Sequence, residues 1–208
     1  NLNGSPFHIG KLRSRENMLA ARSSENEVYV VYVNLVGGQD ELVFDGASVV
    51  FTPRGKILTR ANQFEEELLV FDLCCDAEIE TLAKDQPASK DSSQQKQEVT
   101  VAENIHLSTY FPNEVPSSPT KKGHYYRGPE EVYRSLVLGT RDYIQKCGFK
   151  KVLVALSGGI DSSLVAAIAA DALGPNNVIG LSMPSIYSSE DSTTDTINLA
   201  ENLSIRLE

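Results

Sequence analysis

Residues 150–172 read KKVLVALSGGIDSSLVAAIAADA, and the fold class follows from how this stretch divides. Lys151 to Leu156 is a short run rich in valine and leucine, the pattern of a buried strand in a parallel sheet. Ser157, Gly158 and Gly159 follow at once. Asp161, Ser162 and Ser163 then open an alanine-rich stretch with strong helix propensity. A glycine turn feeding a helix is a ready anion site. The first N–H groups of the helix have no intrahelical partner, and its end carries about +0.5 of an elementary charge. Two adjacent glycines let a phosphate approach the backbone closely. The Walker A loop is excluded, because no Lys followed by Ser or Thr comes after the second glycine. A dinucleotide fingerprint is excluded too, since G-x-G-x-x-G is missing.

The same alternation extends to either side. Glu130 to Cys147 reads as a helix, with Pro129 placed for its first turn and Gly148 at its end. Val132, Leu136, Leu138, Thr140, Tyr143 and Ile144 give it one broad apolar face. Gly174-Pro175 stops the helix that follows the loop, Asn177 to Met183 is the next buried strand, and Asp191 to Leu203 the next helix. Helix, strand, helix, strand, helix is a parallel α/β arrangement, in which ligands sit at the carboxyl ends of the strands. The loop at 157–161 and the segment Met183-Pro184-Ser185 both fall at such ends. The chain finishes with Arg206-Leu207-Glu208 inside what reads as a helical pattern.

The first third has a different character. Residues 1–10 are loop-like. Lys11 to Ser24 carries Leu12, Arg15, Met18, Leu19 and Arg22 at helical spacing. Glu27 to Leu35 is a nearly continuous apolar strand, expected to be buried on both faces. Val36 to Gly46 reads as a polar, glycine-marked connection. Ala47 to Thr52 and Lys56 to Arg60 are strands joined by the turn Thr52-Pro53-Arg54-Gly55, and Leu68 to Leu73 is a fourth strand. Residues 84–98, KDQPASKDSSQQKQE, have almost nothing apolar to bury and read as a linker. Val99 to Tyr110 adds a strand or an ordered arm. The expected division is 1–82, a linker at 83–127, and 128–208.

Composition narrows the function classes. The chain has 208 residues and a net charge of −9, which argues against a general nucleic-acid binder. No apolar run approaches the ~20 residues of a membrane span, and no secretory signal pattern opens the chain. Cys74, Cys75 and Cys147 show no metal-ligand spacing and fit a reducing cytosol. The three histidines, His8, His106 and His124, are scattered. Asn1 in place of methionine, together with the closing pattern, is the mark expected of an internal piece of a longer protein.

Two stretches carry a family resemblance. Ser157-Gly158-Gly159-Ile160-Asp161-Ser162 resembles the pyrophosphate-binding SGGxDS loop of the N-type ATP pyrophosphatases, which include NAD, GMP and asparagine synthetases. Gly37-Gly38-Gln39-Asp40-Glu41-Leu42-Val43-Phe44-Asp45-Gly46-Ala47-Ser48, with Tyr32-Val33-Asn34 before it, resembles the late part of the nitrilase-like glutaminase domain of glutamine-dependent NAD synthetases. Asn3-Gly4-Ser5-Pro6-Phe7 and Gly10-Lys11 resemble the same domain just after its nucleophile. Met183-Pro184-Ser185, Tyr187-Ser188-Ser189 and Ala200-Glu201-Asn202-Leu203 are similar to the synthetase domain.

The resemblance implies an α/β fold. The C-terminal part of a nitrilase-like αββα sandwich is followed by the first part of a Rossmann-like, parallel-sheet ATP pyrophosphatase domain. It implies ATP-dependent amidation of deamido-NAD with L-glutamine as nitrogen donor, in a cytoplasmic homo-oligomer with no nucleic-acid or membrane partner. The ATP-binding residues it implies are Leu156, Ser157, Gly158, Gly159, Ile160, Asp161, Ser162 and Ser163. Asp161 would be the Mg²⁺ ligand, or on the bland reading a helix cap. Ser5 and Lys11 would contact glutamine, with Lys11 holding its carboxylate or ordering the loop. The Glu, Lys and Cys of a nitrilase site have no counterpart here. Cys74, Cys75 and Cys147 do not match that nucleophile's context, Glu41 and residues 65–67 do not match the base, and residues 1–208 alone are expected to lack glutaminase activity. The alternatives are another SGGxDS amide-forming ligase, against which the GGQDELVFDG stretch argues, and a non-catalytic nucleotide-binding module.

Overall fold

A computed structural model describes residues 1–73, 122–184 and 189–208. One compact unit takes in Asn1–Leu69 and Lys121–Glu208; of the other, Val70–Thr120, only residues 70–73 are described. The expectations for Cys74, Cys75, the linker core at 84–98, Val99 to Tyr110, His106 and Ser185 to Ser188 concern residues outside those described.

The first part of the larger unit is a sheet with one helix on it. Strand β1 (Leu2–Asn3) runs parallel to β2 (Val30–Asn34); β5 (Val49–Phe51) and β6 (Ile57–Arg60) follow antiparallel, in the order β1-β2-β5-β6. Helix α1 (Lys11–Asn26) buries Leu12, Arg15, Leu19 and Ser23, spaced by three or four residues so that they fall on one stripe. Leu19 packs with Tyr32, Val49 and Phe51 in one apolar cluster. Each such fully buried side chain contributes roughly 1.5–3 kcal/mol. Met18, placed on the same stripe by its spacing, is 50% exposed.

Strand β2 differs from the expectation of burial on both faces. Tyr32 and Asn34 point inward while Val33 is 42% exposed, because α1 covers only one face. The segment read as a connection is a hairpin. Strands β3 (Val36–Gln39) and β4 (Leu42–Asp45) pair Gly37 with Phe44 and Gly38 with Val43 across a two-residue turn. Asp40 takes a left-handed φ of 51° there, so the turn formed without the Asn-Gly that would have announced it. The expected strand at 68–73 is absent. Leu68 is 89% and Val70 67% exposed, and no strand among the described residues pairs with them.

The second part is a parallel sheet. Strands β7 (Val152–Leu156), β8 (Val178–Ser182) and β9 (Arg206–Leu207) lie in that order. Helix α2 (Pro129–Lys146) precedes β7, α3 (Ile160–Leu173) joins it to β8, and α4 (Glu190–Asn202) leads to β9. Val154, Leu156, Ala166, Ala169, Ala170, Val178, Ala200 and Ile205 form the core, the alanines allowing close approach of helix to sheet. Leu153 is 70% exposed, so β7 too is covered on one face. The closing residues are a strand, not helix. Ser204 takes φ 54°, the chain reverses, Ile205 is buried and Arg206 pairs with Ile179.

Helix α2 buries Glu131, Ser135 and Leu138, so of the face read from sequence Leu138 is buried while Leu136 and Tyr143 are 46% and 57% exposed. The reason is what it packs on. Its small-residue side meets the β3–β4 hairpin, where a Cβ on Gly38 would stand 3.0 Å from the Gly139 Cα. Asp142 Oδ2 accepts from the Gly38 N–H at 2.8 Å, and Lys146 donates to the Gly38 carbonyl. Residues 122–127 also lie along 60–63, with the Gly123 N–H on the Arg60 carbonyl at 2.9 Å and the Tyr126 N–H on Gln63 Oε1 at 2.9 Å. Gln63 is fully buried and reaches Glu131.

Candidate functional site

The loop after β7 is held by short-range contacts. Gly158 has φ 79°, a conformation that L side chains rarely adopt, and a Cβ there would fall 2.4 Å from the Ser192 carbonyl oxygen at the start of α4. Ser163 Oγ and Ser162 Oγ donate to the Gly159 carbonyl at 2.8 and 3.0 Å. Ser157 Oγ and Ser162 Oγ are 3.1 Å apart. The Ser163 N–H bonds Gly159 O, so the amides of Ile160, Asp161 and Ser162 are the ones left without a helical acceptor. The free donors are therefore amides, while the hydroxyls are already engaged and must rotate to reach a ligand.

The other residues read as one set fall into different places. Leu156 is 5% exposed and its side chain belongs to the sheet core. Ile160 is 84% exposed. Asp161 lies in the first turn of α3, is exposed, makes no capping bond, and has no partner among the described residues. Its helix-cap reading is thereby excluded, since Gly159 is the cap residue. Beside the loop, a cavity of about 180 Å³ lies at the carboxyl ends of β7 and β8, lined by Ser157, Ser182, Met183, Ser192, Thr193 and Thr196. The threonines and Ser192 were not singled out from sequence. Only the approach of α4 to the loop brings them there, and the Ser189 cap on the Ser192 N–H at 3.1 Å fixes that helix end.

Ser5 and Lys11 come together on a second, larger cavity of about 790 Å³, shared with Arg15, Tyr29 and Tyr32. Lys11 Nζ donates to the Pro6 carbonyl at 2.9 Å, closing the loop that carries Ser5. Ser5 is held through its backbone by Asn34, with its N–H on Asn34 Oδ1 at 2.8 Å. Behind Asn34 lies a buried bidentate ion pair. Arg15 Nη1 and Nη2 meet Asp45 Oδ1 and Oδ2 at 3.1 and 3.0 Å, both side chains being under 5% exposed. Nothing in the local spacing of Arg15, Asn34 and Asp45 announced that they meet. Among the described residues no group of three or more His, Cys, Asp or Glu is placed to hold a metal, and no helix is long and apolar enough to cross a membrane.

Comparison with known proteins matches both parts. The carbon-nitrogen hydrolase family matches residues 5–80, and the NAD synthase family residues 132–208. The glutamine-dependent NAD(+) synthetase of Aquifex aeolicus is 42% identical over 207 residues, covering 99% of this chain and 35% of the relative. That of Thermotoga maritima is 41% identical over 208 residues, with the same coverage of 99% and 35%. The glutamine-dependent NAD+ synthetase of Acinetobacter baumannii, solved in complex with adenosine diphosphate, superposes with a TM-score of 0.70 at 31% identity, covering 99% of this chain and 32% of that one. The chain spans about a third of the length of the curated relatives it matches. A carbon-nitrogen hydrolase segment and an NAD synthase segment thus stand joined in one α/β chain, which is similar over nearly its whole length to glutamine-dependent NAD(+) synthetases.

Proposed function

We propose that this chain serves a cytoplasmic, homo-oligomeric enzyme that makes NAD from deamido-NAD, with ATP as activator and L-glutamine as nitrogen donor. The observation that carries the reading is the presence, on one chain, of an open SGGIDS loop with free amides and a separate cavity that gathers Ser5 and Lys11. A carboxylate is a poor electrophile. In the first step a nicotinate carboxylate oxygen attacks the α-phosphorus of ATP and pyrophosphate leaves. Ammonia from glutamine then attacks the acyl carbon, AMP departs, and a proton goes to solvent.

The loop's part is to hold the phosphates. The amides of Ile160, Asp161 and Ser162 face the negative charge at a positive helix end, and Ser157, Ser162 and Ser163 supply hydroxyls. Leu156, Gly158, Gly159 and Ile160 place those groups. Asp161 fits a Mg²⁺ role, because its carboxylate is exposed and unpartnered among the described residues. One carboxylate with no supporting cluster suits an ion that keeps several waters and is shared with phosphate oxygens. Ser5 and Lys11 would hold glutamine, Lys11 chiefly by ordering the loop. The expected division at 1–82, 83–127 and 128–208 belongs to this reading.

The test uses the whole protein that contains residues 1–208. ATP, Mg²⁺, glutamine and deamido-NAD are supplied, and NAD, AMP and pyrophosphate are measured. Formation of all three with consumption of glutamine is expected. AMP without NAD would retain the loop and remove the acceptor. No ATP cleavage by folded protein would leave a nucleotide-binding module.

A further inference from the structure

The cavity that gathers Ser5 and Lys11 has a feature the reaction itself does not require. Ser5 is not held by its own neighbours but by one side chain 29 residues away. Asn34 Oδ1 accepts the Ser5 N–H at 2.8 Å, and Asn34 Nδ2 donates to the Ser5 carbonyl at 3.2 Å. The amide thus clasps both backbone polar groups of one residue, as a neighbouring strand would. The Ser5 side chain makes no hydrogen bond among the described residues and lines the cavity.

An amide clasp works in only one orientation, because oxygen and nitrogen must not exchange places. Asp45 fixes that orientation. It is 1% exposed and, when ionised, accepts only; its Oδ1 takes the Asn34 Nδ2 at 3.2 Å, which forces the amide nitrogen toward it and the oxygen toward Ser5. Arg15 holds Asp45 in place through two bonds, donates also to the Gly46 carbonyl at 3.3 Å, and lies 5.4 Å from the Tyr32 ring centroid. A buried ion pair is a poor route to stability, since well-packed apolar residues of the same volume do as well. A use that apolar residues cannot supply is the setting of a polar group's direction.

We propose that Asn34, oriented by the buried Asp45–Arg15 pair, is a positioning residue that sets Ser5 against the substrate in the glutamine cavity. The inference rests on reading that cavity as the glutamine site.

The experiment compares Asn34→Ala with the parent in the whole protein, with glutamine and then ammonium as nitrogen source. The expected result is a glutamine KM raised about tenfold, with ammonium-supported NAD synthesis within about twofold of the parent. Hydrogen exchange should show the Ser5 amide opened and the β2–β5 amides still protected. A glutamine KM within twofold of the parent overturns the proposal and leaves the glutamine reading intact. A parent that makes NAD from ammonium but not from glutamine removes the reading itself, and the proposal with it. Should Asn34→Ala lose both reactions, Asn34→Ser decides, since it keeps a hydroxyl in the network but cannot span both bonds. A raised glutamine KM with the ammonium reaction retained supports positioning, and any other result makes Asn34 a structural residue only.

Discussion

Residues 157–163 and residues 5–11 each offer polar groups to a cavity, but they are held by opposite means. The first loop is fastened by hydroxyls and carbonyls no more than five residues apart, and only Gly158 depends on a distant neighbour, at Ser192. The second has one such local tie, Lys11 to Pro6, but its Ser5 hangs on Asn34, 29 residues away, which in turn depends on Asp45 and on Arg15 from α1. A loop tied to itself is fixed once its strand and helix form. A loop tied to a buried network is fixed only when the sheet, the hairpin and α1 have all assembled. The two should therefore fail differently.

The largest effect is expected from Arg15→Ala. It leaves the Asp45 carboxylate buried without its counter-charge, which costs about 3–5 kcal/mol. Denaturant unfolding of the parent and variant proteins measures this, and a loss under 1 kcal/mol would show that the network is not what holds the second loop. Gly158→Ala comes next. The added Cβ meets backbone at Ser192 O and cannot be relieved by a rotamer change. The loop must shift, and ATP affinity measured calorimetrically should fall by at least about tenfold, or 1.4 kcal/mol. Unchanged affinity would place phosphate binding elsewhere.

Asp161→Asn sharpens the same point with a smaller reach. The side chain is exposed and unpartnered among the described residues, so stability should move by less than about 0.5 kcal/mol. The Mg²⁺-dependent part of ATP binding should fall about tenfold, seen by titrating Mg²⁺ at fixed ATP. An effect independent of Mg²⁺ would remove Asp161 from metal binding.

The smallest effect lies outside both loops. Tyr133 on α2 donates to Asp171 on α3 at 2.7 Å. Burial, that hydrogen bond and the Asp171 charge push its hydroxyl from the ordinary 10.0 up to about 12. A raised phenol gives stability that is complete below pH 10 and lost as pH rises through about 12. Tyr133→Phe should cost under about 1 kcal/mol at neutral pH, because the bond is exposed to water. The variant should also lack the parent's loss between pH 10 and 12, as thermal unfolding across that range would show.

The same contrast explains what was legible. The β7–loop–α3 unit could be read directly, because strand period, glycine turn and helix propensity act between near neighbours. The β3–β4 hairpin was missed, because its turn carries Asp40-Glu41 with no glycine and its two glycines answer to α2, not to the turn. The buried face of α2 departs in part from the sequence expectation for a related reason. The sequence shows the large apolar residues, but Gly38 against Gly139 demands a small-residue face, and that leaves Leu136 and Tyr143 outside. The closing strand β9 reads as helix in the sequence because its pairing partner, Ile179, lies 27 residues before Arg206.

By itself the sequence determined the α/β order, the glycine loop between strand and helix and the resemblance of its two motifs to glutamine-dependent NAD synthetases, since these depend on local propensity and on residue types at fixed spacing. The tertiary structure alone decided which side chains meet. It placed Asn34, Asp45 and Arg15 behind Ser5, and Ser192, Thr193 and Thr196 beside Ser157. Such meetings follow from sheet register and helix packing, which bring together residues far apart in the chain and leave no mark at short range.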